Sequence, residues 1–97
     1  RAVALNNLAW IMVTAPDKDL RDRQRALVLA KEAVKLERSP IFLDTLAEAY
    51  YENDLIPEAI DTIKEAISAA TEDRNYYEEQ LRKFETVQPL SHKGTKD

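Results

Sequence analysis

Apolar residues in this chain recur at steps of three and four, the spacing that gathers them on one side of an α-helix. No other feature constrains the fold as much. Leu5, Leu8, Ala9 and Met12 share a face of a first helix expected over about 2–14. Ala26, Leu27, Leu29, Ala30, Ala33, Val34 and Leu36 mark a second over about 23–37, and Leu43, Leu46, Ala47 and Tyr50 a third over about 40–52. Ala59, Ile60, Ile63, Ala66 and Ile67 carry a fourth over about 55–69. A narrower stripe, Tyr77, Leu81 and Phe84, belongs to a fifth over about 72–86.

The residues between these stripes are helix punctuation. Asp22 suits the N-cap of the second helix, where a short side-chain acceptor meets a free backbone N–H. Ser39-Pro40 restarts the chain: serine caps, and proline fits a first turn whose N–H groups have no helical partner. Asn53-Asp54 breaks the third helix, with Asn taking the left-handed conformation and Asp capping the next element. Pro57 is admissible in the first turn of the fourth helix, and Thr71-Glu72-Asp73 opens the fifth. Ala15-Pro16-Asp17-Lys18-Asp19 is turn chemistry. From Gln88 onward, Pro89, Gly94 and the lack of an apolar pattern predict a loose tail. The 97 residues contain one glycine, too few for a sheet-rich fold with many tight turns. The fold class expected is all-α, in one small domain.

Composition narrows the function. The chain is 44% apolar and 33% charged, as a water-soluble globular domain is, and it has no cysteine for disulfides or thiolate metal sites. No apolar run approaches the ~18 residues of a membrane span, and no basic-then-apolar leader is present. A start at Arg1 rather than Met suggests a piece of a longer protein. His92, the one histidine, falls in the expected tail and has no second imidazole or thiol to form a metal site or a nucleophile–base pair. Gly94 alone cannot build a phosphate-cradling loop. Neither catalysis nor a cofactor is expected.

The helices repeat in sequence. Ala26 and Ala33 correspond to Ala59 and Ala66 with a shift of 33 residues; Leu5, Leu8, Ala9 and Met12 correspond to Leu43, Leu46, Ala47 and Tyr50 with a shift of 38. The extra five residues fall in the 16–21 loop, where insertion is tolerated. Two helices per unit at a period near 34 is the signature of a stacked helical array. Leu8-Ala9 with Met12, Ala26 and Ala33, and Leu46-Ala47 with Tyr50, Ala59 and Ala66, resemble two tetratricopeptide repeats. The segment LNNLAWIMVTAPD is similar to a subtype common in bacterial multi-repeat proteins. The pattern departs from the family at Ala30, where Ile63 supplies the bulky residue in the second unit, and at Thr71, where a proline often closes a repeat. The resemblance implies an α-α superhelix over 1–87: repeat one at 2–38, repeat two at 39–70 and a capping helix at 72–86, with residues 88–97 as a flexible tail. The recurring alanines would let antiparallel helices approach at about 8–10 Å, with Leu8, Leu46 and Tyr50 filling the space between them.

Charge is uneven. Residues 1–39 carry eight basic and five acidic groups, residues 40–72 eight acidic groups against Lys64 alone, and residues 73–97 five of each, giving −4 overall. So acidic a middle disfavours nucleic acid, whose phosphates need clustered cations. Asp44, Glu48 and Glu52 stand at i, i+4 and i+8 and stack on one face of the third helix. In the family the first helix of each unit lines the concave surface. The resemblance therefore places Asp44 and Glu48 in a groove, with Glu52 at its rim and Tyr51 alongside, and Asn6 and Trp10 at the matching sites of the first unit. It implies a non-catalytic module that takes a peptide or protein segment with basic residues. Trp10 and Tyr51 would anchor apolar groups, and the three carboxylates would meet Lys or Arg. Lys, Asn and Arg side chains that grip a C-terminal carboxylate in some family members are missing; Asn6, Trp10 and Thr45 stand in the matching places. Two other readings stay open. The acidic face is simply solvated, neutralised by Arg74 or Arg82; or the basic first unit and acidic second unit stack end to end, making the chain a structural or homo-oligomeric segment.

Overall fold

The computed structural model describes residues 1–16 and 22–96, with side chains through Val87. Those residues form five helices: α1 (Ala2–Thr14), α2 (Arg23–Leu36), α3 (Pro40–Glu52), α4 (Ile56–Ala69) and α5 (Arg74–Lys96). The loop expected to hold the five extra residues lies largely outside the described residues.

Local chemistry sets the boundaries. Asp22 caps α2, its Oδ1 accepting from the Arg25 backbone N–H at 3.1 Å. Ser39 Oγ accepts from Phe42 N at 3.5 Å with Pro40 opening α3 behind it. At the end of α3, Leu55 N donates to Tyr50 O at 2.9 Å and Asp54 N to Tyr51 O at 3.0 Å, which is the paired closure of a Schellman turn. Asp54, with φ 63°, takes the left-handed position here, not Asn53. Asn53 does different work: its Nδ2 donates to Ala49 O and to Arg23 O, both at 2.8 Å, tying this turn to the start of α2. The α4–α5 link turns at Asp73, also left-handed at φ 60°, so α5 begins at Arg74.

Each helix packs on the next in the chain, and α1 also reaches α3. Eight alanines make this possible: Ala9, Ala26, Ala30, Ala33, Ala47, Ala49, Ala59 and Ala66 are all fully buried. A side chain of one carbon lets helix axes come close without a void. Phe84, Leu43 and Ile63 are the largest fully buried side chains, so α5 contributes to the same core. A radius of gyration of 13.3 Å is that of a compact domain of this length.

Two expectations need correction. Leu8 is 42% exposed and does not fill the space between helices. The fifth helix was expected to end at about residue 86, and α5 runs from Arg74 to Lys96. The side chain of His92 lies outside the described residues.

Candidate partner-binding face

Asp44 and Glu48 sit one turn apart on α3 and are each only 6% exposed. Helix α5 covers them. Gln80 Nε2 donates to Asp44 Oδ1 at 3.1 Å and lies 3.4 Å from Glu48 Oε1, and Lys83 Nζ meets the same Glu48 oxygen at 2.9 Å. Lys83 also stands 4.9 Å above the Tyr51 ring, and that ring packs against Phe84 with centroids 4.9 Å apart. A cation over an aromatic face gains from the ring quadrupole, so the ammonium is held by a carboxylate and a ring together. The expectation of an acidic surface open to solvent fails for these two residues. Their partners are the Gln80 amide and, for Glu48, the Lys83 ammonium, not Arg74 or Arg82.

Burial shapes the electrostatics. Desolvation, the largest cause, raises the Asp44 carboxyl to about 6; the hydrogen bond from Gln80 opposes this, the charge on Glu48 adds to it and Lys83 lowers it. Tyr76, beside this pair, is lifted to about 12 by burial first and then by the charges of Asp44 and Glu48.

Glu52 is separated from the other two. It lines a polar hollow of about 440 Å³ with Asp22, Arg23 and Asp54, and its carbonyl oxygen accepts from Arg23 Nη1 at 3.4 Å. Asn6 is buried at 6% exposure, and its Oδ1 has no hydrogen-bond partner among the described residues. Trp10 is half-buried. The six sequence-selected residues thus divide: Asp44, Glu48 and Tyr51 meet α5, Glu52 faces the start of α2, and Asn6 and Trp10 remain on α1.

Sequence reasoning missed Gln80 and Lys83. A signal existed for Gln80: it interrupts the Tyr77, Leu81, Phe84 stripe at a stripe position, and a polar group at such a site needs a buried partner. No group of three His, Cys, Asp or Glu among the described residues is placed to hold a metal ion. No described helix is long and apolar enough to cross a membrane. No protein-family model, curated protein or solved structure matches this chain.

Proposed function

We propose that this chain is a non-catalytic protein-interaction module of the tetratricopeptide type, with α1–α2 and α3–α4 as two stacked hairpins and α5 closing the stack. Sequential packing of the helices supports the arrangement. So does the complete burial of Ala9, Ala26 and Ala33 and of their counterparts Ala47, Ala59 and Ala66. Its partner is a peptide or protein segment with basic residues. One observation carries the functional reading: the acidic edge of α3 holds a packed helix through an amide and an ammonium, with an aromatic ring beside them. The same chemistry suits a basic segment of another protein at the half-buried residues that α5 does not cover, Glu52 at the end of α3 and Trp10 on α1.

A peptide array probed with the full chain tests this. Lys- and Arg-bearing spots should be retained over acidic ones, retention should fall with added salt, and Trp10→Ala with Glu52→Gln should weaken it. Exposed ion pairs contribute only about 0.2–1 kcal/mol each, so the carboxylates tune choice of partner more than affinity. Preference for acidic peptides, or retention blind to salt and to both substitutions, refutes the reading.

A second reading has its own support. Leu46 and Ala49 of α3 are buried, at 6% and 0% exposure, while their α1 counterparts Leu8 and Ile11 are 42% and 51% exposed. An apolar helix face of this kind suits end-to-end stacking on a second copy or on a neighbouring repeat. Sedimentation velocity over a concentration series separates the two: a monomer at every concentration disfavours self-stacking.

A further inference from the structure

One hollow lies away from the buried acidic pair, at the end of the molecule where α3 and α5 begin. It encloses about 400 Å³. Phe42 and Tyr77, 5% and 4% exposed, form a fixed floor; Val3 and Ile41, 58% and 60% exposed, stand as apolar walls. Val3 and Ile41 occupy matching positions of α1 and α3, 38 residues apart, so the same solvent-facing apolar site is repeated on both helices. A volume near the low end of ligand sites fits one or two side chains of a peptide, not a large cofactor.

Charge selects the rest of the occupant. Glu37, Glu72 and Asp73 line the hollow, and no Lys or Arg among the described residues does. Three nearby cations lie outside it: Arg38 is held by Glu65, with Nη2 to Oε1 at 2.8 Å, Arg1 lines a separate hollow, and Arg74 lines an adjoining one on the other side of Glu72 and Asp73. Helix starts ordinarily favour anions, but Ser39 already caps α3 and Glu72 and Asp73 already stand at the start of α5. Complementarity therefore calls for an apolar group followed by positive charge.

We infer that this hollow docks an aliphatic side chain of an extended basic peptide, the Lys or Arg residues that follow it meeting Glu37, Glu72 and Asp73. The inference rests on the interaction-module reading and gives it a location and a sequence preference: aliphatic, then basic.

Fluorescence anisotropy with the full chain and three labelled, N-acetylated hexapeptides tests it. Their central residues are Leu-Lys-Lys, Gly-Lys-Lys and Leu-Glu-Glu. The first should bind saturably, the second about tenfold more weakly, and the third not measurably. Ile41→Ser should weaken the Leu-Lys-Lys peptide about tenfold with an unchanged thermal melt, since Ile41 is mostly exposed. Glu37→Gln with Glu72→Gln should flatten the salt dependence. Equal binding of the Leu and Gly peptides, or indifference to Ile41→Ser, overturns the hollow as the site while leaving a module that binds elsewhere. No saturable binding up to about 1 mM also overturns it, and the peptide array then decides the broader reading.

Discussion

Helices α1 and α3 carry the same apolar pattern 38 residues apart, yet they live in different surroundings. Every residue of α3 from Phe42 to Ala49 is buried, whereas α1 buries only Asn6, Ala9 and Val13. Ala9 and Ala47 are both fully buried, and each of their helices packs on the one that follows it in the chain. The positions that diverge are those facing away: Leu8 against Leu46, Ile11 against Ala49, Trp10 against Glu48. α3 is packed by α1, α2 and α4, with α5 reaching over its acidic edge. A repeated sequence fixes what a side chain offers; the neighbours decide whether it is used.

The largest test of this contrast is Leu46→Ala beside Leu8→Ala. Leu46 is 6% exposed, so its truncation leaves a cavity and should cost about 2–5 kcal/mol. That is a large share of the ~5–15 kcal/mol typical of a whole domain. Leu8→Ala should cost less than about 1 kcal/mol. Urea denaturation of the two variants measures both. Equal costs would mean that the outer side of α1 is covered in solution, which would break the contrast and favour self-stacking.

A smaller effect comes from Asp44→Asn, which gives α3 the residue that α1 carries at the matching Asn6. Asp44 has a folded-state pKa of about 6, above its ordinary 3.8, with burial the main cause. A carboxyl raised on folding binds its proton more tightly in the folded state. Its favourable contribution is therefore complete below about pH 4 and is lost as the pH rises through about 6. The Asn variant keeps an oxygen for Gln80 Nε2 and has no charge to bury. It should exceed the parent in stability by on the order of 1–3 kcal/mol at pH 7.5, the gap shrinking as the pH falls toward 4. Urea melts at pH 4.5 and 7.5 read the difference. A variant less stable than the parent at pH 7.5 would show that Lys83 outweighs desolvation at this site.

The parts legible in the sequence were those fixed by contacts within a few residues. Asp22 and Ser39 cap where their spacing predicts, and the recurring alanines are buried. What the stripes could not reveal was where α5 lies, since Gln80 and Asp44 meet across 36 residues. Three carboxylates on one helix face read alike from their spacing, yet two are covered by α5 and the third lines a separate hollow at the start of α2. Leu8 misled for the same reason: periodicity names the apolar face of a helix but not the sector of it that a neighbour occupies.

The smallest expected effect lies at Asn6 itself. Its side chain is buried, and its Oδ1 finds no partner among the described residues, whereas Asp44 at the matching position accepts from Gln80. Leaving a buried acceptor unpaired costs about 1–3 kcal/mol, while the carbon skeleton of Asn is small enough that its removal opens little space. Asn6→Ala should therefore be neutral, or stabilising by up to about 1 kcal/mol. Asn6→Asp should do the opposite, placing a charge at a site with no counterpart to Gln80 or Lys83. Its cost should be larger at pH 7.5 than at pH 4.5, where part of the carboxyl population carries a proton. The two substitutions together separate a missing partner from a missing helix. If Asn6→Ala were instead destabilising by more than about 1 kcal/mol, Asn6 would be hydrogen-bonded in solution, and the matching positions Asn6 and Asp44 would both be satisfied in spite of their different neighbours.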